Sequence, residues 1–240
     1  MFVIAKLMTS PKQEDAMDQY SRRRMLGLMG GIAASGAIAG LVTPALAAAA
    51  KSKEAASYPE TVKRLMHAVA GEIEANAKYR AFADVAEKEG QKEIAAIFRV
   101  IAEAELQHAD HEFGIAQSLS KVERPKADKV TVGTTKENLQ AAINGETEEY
   151  TKMYPEFINI AEKEHMVDAR LIFILAKLAE EVHAGVYADL LSNLGKFDKN
   201  KYAKVYRCPE CGNIILKNRP KYCPICAEPG EELREYKIVG

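Results

Sequence analysis

The chain has no tryptophan, only four cysteines, and no surplus of either charge: 33 basic residues stand against 34 acidic ones, a net charge of −1. Without a basic excess there is no bulk electrostatic case for nucleic acid or an anionic membrane surface. No Gly-x-Gly-x-x-Gly run occurs, so the chain does not bind a dinucleotide through that motif. The four cysteines all lie between positions 208 and 226, too crowded for a disulfide framework spread through a fold. What is abundant is core material. Hydrophobic residues make up 48% of the 240 residues and charged ones 28%, which excludes disorder and collagen-like repeats and suits one large domain or two ordinary ones.

The first segment reads as an address. Ser21-Arg22-Arg23-Arg24 precedes a largely uncharged run from Leu26 to Val42, and Pro44-Ala45-Leu46-Ala47 follows with small residues where a signal peptidase reads. This is a secretory signal over residues 1–47 of twin-arginine type, cleaved after Ala47. An uncleaved membrane anchor is the other reading, though a Gly/Ala-rich run of this length is marginal for a span. Without residues 1–47 there remain 28 basic and 31 acidic residues, so the mature chain is a mildly acidic exported protein.

Residues 58–194 carry helical periodicity. Val62, Leu65, Met66, Val69 and Ile73, then Tyr79, Phe82, Val85 and Ala86, mark a first helix stopped at Gly90, and a second runs from about 91 to 119. Residues 121–135 lose the period and contain Pro125 and Gly133, which predicts a crossover. Thr134 and Glu137 fit a capping box opening a third helix to about Glu164, kinked at Pro155, and a fourth spans about 167–194. Four helices with one long middle connection predict an all-α, ferritin-like four-helix bundle. An internal repeat agrees: a shift of 75 residues aligns Glu105 with Glu180, His108 with His183 and Phe98 with Phe173, and Gly71-Glu72 falls on Gly145-Glu146 at a shift of 74. Each half is one helical hairpin.

The chemistry sits where the repeat is strictest. Glu105-x-x-His108 and Glu180-x-x-His183 each put a carboxylate and an imidazole on one helix face, and Glu72 and Glu146 add one carboxylate from each of the other helices. That constellation predicts a dinuclear metal site, because such a cluster inside an apolar bundle is very costly without cations. Hard carboxylates with imidazole suit iron or manganese. The remaining histidine patterns lack repeat support: Glu162-x-x-His165 reads as a solvated helix end, His111 as outside the site, and His67 as surface. Glu149 stands at i+3 from Glu146 and reads either as an exposed residue or as a seventh ligand. Tyr79 and Tyr154 lie about two turns beyond Glu72 and Glu146, and either is core or donates to a ligand carboxylate.

Cys208-Pro209-Glu210-Cys211 and Cys223-Pro224-Ile225-Cys226 form two knuckles separated by eleven residues. Residues 202–240 are too few for an independent core, so a metal on four thiolates must carry much of their folding. Such a site takes zinc or a single iron, zinc being the safer reading of this segment alone; two disulfides are the other arrangement open to an exported protein.

Taken in order, Gly71-Glu72, Glu105-x-x-His108, the run Gly145-Glu146-Thr147-Glu148-Glu149-Tyr150-Thr151-Lys152-Met153-Tyr154-Pro155, Glu180-Glu181-Val182-His183 and the paired Cys-Pro-x-Cys knuckles resemble the rubrerythrin family over essentially all of residues 58–240. The resemblance implies a diiron bundle held by Glu72, Glu105, His108, Glu146, Glu149, Glu180 and His183. It also implies a rubredoxin-like domain with one iron on Cys208, Cys211, Cys223 and Cys226, tipping that site from zinc to iron. Tyr79 and Tyr154 match the family's tyrosines beside the ligands. The implied activity is reduction of hydrogen peroxide to water in a homodimer, with electrons passing from the iron–thiolate centre of one subunit to the diiron site of another, and with one iron exchanging Glu149 for His108. Residues 1–47 depart from the family's familiar members, which are cytoplasmic. They make a periplasmic electron donor protein the expectation and a direct nicotinamide partner doubtful. A ferroxidase that handles iron and a non-enzymatic zinc-ribbon scaffold are the alternative functions.

Overall fold

The computed structural model describes residues 59–238. The expected signal segment, residues 1–47, lies outside the described residues. Among those described, no helix is long and apolar enough to cross a membrane.

Four long helical stretches make the bundle: α1 (Pro59–Lys88), α2 (Lys92–Leu119), a broken third stretch, and α5 (Val167–Ser192). The hairpin turn after α1 ends at Gly90, whose φ of +78° suits a residue without a Cβ. Residues 121–133 form the crossover, without helix or strand. The predicted capping box is present, Thr134 accepting from the Glu137 N–H while the Glu137 carboxylate accepts from the Thr134 N–H.

The third stretch differs from the single kinked helix that the sequence predicts. It is α3 (Thr135–Glu148), a π-helical turn (Glu149–Met153) and α4 (Tyr154–Lys163). Pro155 has no N–H for an i−4 carbonyl, so the chain widens ahead of it, and the Tyr154 N–H bonds the Glu149 carbonyl five residues back. This turn also explains the change of repeat. Glu72 to Tyr79 is seven residues and Glu146 to Tyr154 is eight, so the π turn holds the residue that changes the shift from 74 to 75.

Two apolar clusters fill the bundle. One gathers Tyr79, Phe82, Phe98 and Tyr187, and the other Leu65, Tyr154, Phe157 and Phe173. Phe98, Phe157 and Phe173 are at most 1% exposed, each such burial contributing roughly 1.5–3 kcal/mol.

Beyond α5 a single turn, α6 (Lys199–Tyr202), leads into a small antiparallel sheet of β1 (Lys204–Arg207), β2 (Ile214–Leu216) and β3 (Arg234–Lys237), in the order β2-β1-β3. Tyr202, Val205 and Ile214 join the bundle's own core. Arg207, 3% exposed, reaches Gln107 and Glu103 on α2, and the Tyr236 hydroxyl donates to Glu103 at 2.6 Å. The small domain is seated on the flank of α2 and α5 of the same chain.

Candidate metal centres

Burial defines the first centre. Glu72 from α1, Glu105 and His108 from α2, Glu146 from α3, and Glu180 and His183 from α5 are all 0–1% exposed. Their ligand atoms fall into two overlapping groups, each within 4.8 Å: Glu72, Glu105, His108 and Glu180, then Glu105, Glu146, Glu180 and His183. The shared members, Glu105 and Glu180, would bridge two ions. Glu180 sets Oε1 2.8 Å from the His108 Nδ1 and Oε2 2.7 Å from the His183 Nδ1. Glu105 faces them with its oxygens reversed, Oε2 3.4 Å from the His108 Nδ1 and Oε1 3.2 Å from the His183 Nδ1. Glu72 lies 3.8 Å from the His108 Nδ1 and Glu146 3.7 Å from the His183 Nδ1, each facing one imidazole, so these two would be terminal ligands.

The donor set fits a metal pair. Both oxygens of Glu105 and Glu180, one each of Glu72 and Glu146, and both Nδ1 atoms lack a hydrogen-bond partner although buried. Orphaned groups of this kind are rare in proteins. Four carboxylates carry the charge that two divalent cations cancel, and the two overlapping groups give each cation three carboxylates and one imidazole. Without metal the electrostatics are severe. Burial, then the carboxylates of Glu180 and Glu105, pushes Glu72 well above the ordinary range, and burial with Glu105 and Glu180 does so to Glu146. Burial also penalises a charged His108 or His183, yet Glu180 and Glu105 outweigh it and hold both imidazoles well above their usual value.

The outer nitrogens of the histidines are occupied by the small domain. The His108 Nε2 lies 3.1 Å from the Cys211 carbonyl and the His183 Nε2 3.2 Å from the Gly212 carbonyl. A carbonyl only accepts, so Nε2 carries the proton and Nδ1 is left for a metal. The resemblance implies electron transfer between subunits; here the first knuckle touches the histidines of its own bundle.

The second centre is the cysteine cluster. All four sulfurs lie within 4.8 Å of one another, with Cys208 to Cys226 at 3.5 Å and Cys211 to Cys223 at 3.6 Å. A tetrahedral ion with metal–sulfur bonds near 2.3 Å needs sulfurs about 3.8 Å apart, whereas a disulfide needs about 2.05 Å. The cysteines are free, and the disulfide alternative is excluded. Hydrogen bonds from Cys208, Cys211 and Cys226 hold the Cys223 thiol well below the ordinary range.

The tyrosines are crossed between the hairpins. The Tyr79 hydroxyl donates to Glu146 at 2.6 Å, and the Tyr154 hydroxyl donates to Glu72. Glu149 stays outside both ligand groups. It lies in the π turn, partly exposed, and lines a cavity of about 370 Å³ together with Gly71, Tyr79, Phe82, Gly145 and Met153. A Cβ on Gly71 would stand 4.0 Å from the Glu149 Oε1, an ordinary contact, so the carboxylate packs close to α1. His67 is exposed with its ring 5.3 Å from Phe157, His165 follows α4 at a φ of 58°, and His111 is half-buried and outside both ligand groups.

One buried acid was missed. Glu112 on α2 is 0% exposed and lies 3.0 Å from the Tyr154 hydroxyl. Its position at i+4 from His108 and i+7 from Glu105 is a usable signal, but its repeat mate is Tyr187, so the repeat does not select it.

A profile of the family described as Rubrerythrin matches residues 63–191. The chain is 36% identical over 173 residues to the rubrerythrin of Porphyromonas gingivalis, covering 71% of this chain and 86% of that protein. It is 36% identical over 177 residues to the nigerythrin of Nitratidesulfovibrio vulgaris, covering 73% and 86%. A solved structure of nigerythrin in a fully reduced, all-ferrous state is similar with a TM-score of 0.69 at 31% identity, covering 84% of this chain and 100% of that one.

Proposed function

The chain belongs to the rubrerythrin family, and from that premise we propose that it is a peroxidase reducing hydrogen peroxide to water, with electrons entering at the four-cysteine iron. Glu72, Glu105, His108, Glu146, Glu180 and His183 hold the diiron pair, and Cys208, Cys211, Cys223 and Cys226 hold the third iron. When bound, the iron pair supplies two electrons to the O–O bond.

The observation that carries the reading is the knuckle on the histidines. A protein that only stored iron would have no need to seat a thiolate centre against both imidazoles of its dinuclear site. The Cys211 carbonyl and the His108 N–H form a short bonded path between the two centres, and the Gly212 carbonyl with His183 forms a second. The remaining residues divide the work. Tyr79 and Tyr154 hold the terminal carboxylates in place by donating to them. The cavity beside Glu149 and Tyr79 gives a small peroxide access, and the apolar clusters on either side limit water. Glu149 would be the mobile ligand in this reading, taking the place of His108 on one iron, and the π turn sets it beside the cavity.

Residues 1–47 support export by the twin-arginine route, which carries folded protein and so allows iron loading beforehand. The donor is then a periplasmic electron carrier, and the protein works as a homodimer or larger assembly.

Anaerobic stopped-flow mixing of the fully reduced protein with hydrogen peroxide, and separately with oxygen, tests the reading through the visible band of the iron–thiolate centre. Fast reoxidation by peroxide and slow reoxidation by oxygen is the expected result. The reverse order would make the protein a ferroxidase, and the absence of a coloured centre would favour the zinc-ribbon scaffold.

A further inference from the structure

The pseudo-two-fold relation of the hairpins is broken at one place beside the dinuclear centre. At the 75-residue shift Tyr79 pairs with Tyr154, and each donates to the terminal glutamate of the opposite hairpin. Behind Tyr79 stands Tyr187, rings 5.3 Å apart, its hydroxyl buried without a hydrogen-bond partner. Behind Tyr154, at the matching position, stands Glu112, with Oε1 3.0 Å from the tyrosine hydroxyl and Oε2 buried without a partner. One side of the centre therefore has an acid where the other has a phenol.

Counting protons assigns this acid a role. The Tyr154 hydroxyl has one hydrogen and faces two carboxyl groups, Glu72 and Glu112. It can donate to only one of them, so the other contact is a hydrogen bond only if that carboxyl carries its own proton. Glu72 is a metal ligand and must be ionised when the metal is bound. The proton therefore belongs to Glu112, and the hydrogen bonds run in one direction, from Glu112 to Tyr154 to Glu72. The groups that act on Glu112 are consistent with this. His108 and Glu105 share its helix, Tyr154 comes from α4 and Glu180 from α5, with Glu72 on α1 beyond the tyrosine. Burial dominates among them and pushes the Glu112 carboxyl up to about 8.

We propose that Glu112 is an internal proton donor, feeding one proton per turnover through the Tyr154 hydroxyl to Glu72, on the side of the centre held by His108. This rests on the peroxidase reading. Reducing one peroxide to two waters consumes two electrons and two protons. The electrons come from the reduced iron pair of that reading. One of the protons comes from Glu112 and the other from solvent, by way of the cavity beside Glu149. The Glu112 O–H bond breaks as the Tyr154 oxygen takes the proton, and the tyrosine's own proton passes to the Glu72 side, where the departing oxygen leaves as water. Glu112 remains as a carboxylate and is reprotonated before the next turnover. The opposite side has no equivalent, because Tyr187 does not bond Tyr79 through its hydroxyl.

Glu112→Gln and Glu112→Leu in the full-length, iron-loaded protein test the relay. Gln keeps the shape and can still donate to the Tyr154 oxygen, but it has no proton to give up. The first measurement is infrared difference spectroscopy, independent of turnover. One component of the protonated-carboxyl carbonyl stretch should be present in the parent, lost in Glu112→Gln, and shifted in Tyr154→Phe. The second is peroxide reoxidation of the reduced protein with its solvent deuterium effect. Here Glu112→Gln should fall by roughly a hundredfold and lose the isotope effect, as expected when a general acid is removed. An unchanged carboxyl spectrum in Glu112→Gln, or an unchanged rate and isotope effect in that variant when the parent turns over peroxide, would overturn the relay. A parent that does not turn over peroxide would instead sink the peroxidase reading, while loss of the band would still place the proton on Glu112.

Discussion

The His108 Nε2 lies 3.1 Å from the Cys211 carbonyl, and a Cβ built on the next residue, Gly212, would stand 2.2 Å from that same nitrogen. The histidine that offers Nδ1 to the dinuclear centre is thus sealed on its outer edge by a position that accepts only glycine. A φ of +72° at Gly212 adds a backbone reason to the steric one.

Gly212→Ala should keep both metal centres yet separate them. We expect full iron content and an unchanged iron–thiolate band, with internal electron transfer slowed at least tenfold in stopped-flow reoxidation. An unchanged rate would mean that electrons do not pass through the knuckle contact.

The metal-free protein should lose stability as pH rises. Burial raises Glu72, Glu146 and Glu149, and takes Glu112 to about 8. Carboxyls with raised folded values stabilise fully below their unfolded value, about 4.3, and lose that contribution as pH climbs through the folded one. His108 and His183, raised by Glu180 and Glu105 against burial, follow the same direction, their contribution being full below about 6.5. Glu180 opposes them at the acid end. His108 and His183 outweigh its burial and lower it, so its contribution is lost only on strong acidification. The melting temperature of the iron-free protein should therefore peak near about pH 5 and fall toward pH 9, whereas iron binding, which needs deprotonated ligands, should strengthen over the same range. Thermal denaturation with and without iron from pH 5 to 9 would show it, and parallel curves would contradict it.

Cys223→Ser should abolish the four-thiolate site and loosen residues 202–238 selectively. The small sheet has three strands of three or four residues, too little to stand without its metal. Hydrogen exchange should show protection lost in β1, β2 and β3 and retained in the buried halves of α2 and α5. Global unfolding of the bundle would be the contrary result.

Thr134→Ala removes the hydroxyl that caps α3 and leaves the Glu137 N–H unpaired at the helix start. A loss of about 1 kcal/mol is expected in chemical denaturation of the iron-loaded protein, with peroxide turnover unaffected. A loss below a few tenths would show that packing of α3, and not its cap, decides where the helix begins.

Spacing along the chain was enough for much of this. A helix repeats its faces every three to four residues, so Glu105 with His108 and Glu180 with His183 had to share faces, and the repeat made chance an inadequate explanation. The knuckles, the Thr134 cap and the crossover were legible for the same reason, since each depends on residues close in sequence. Tertiary structure decided what depends on residues far apart. It set Glu105 and Glu180 between both imidazoles and Glu72 and Glu146 against one each, because only the packing of four helices sets which carboxylate oxygen reaches which imidazole. It crossed Tyr79 and Tyr154 between hairpins, turned the Pro155 kink into a π turn, and set the Cys211 carbonyl on His108, a contact 103 residues apart. It also revealed Glu112, whose partner Tyr154 comes from another helix and whose repeat mate is a tyrosine. Local periodicity chose the ligands; the long-range packing of the helices and the seating of the small domain gave each of them its partner.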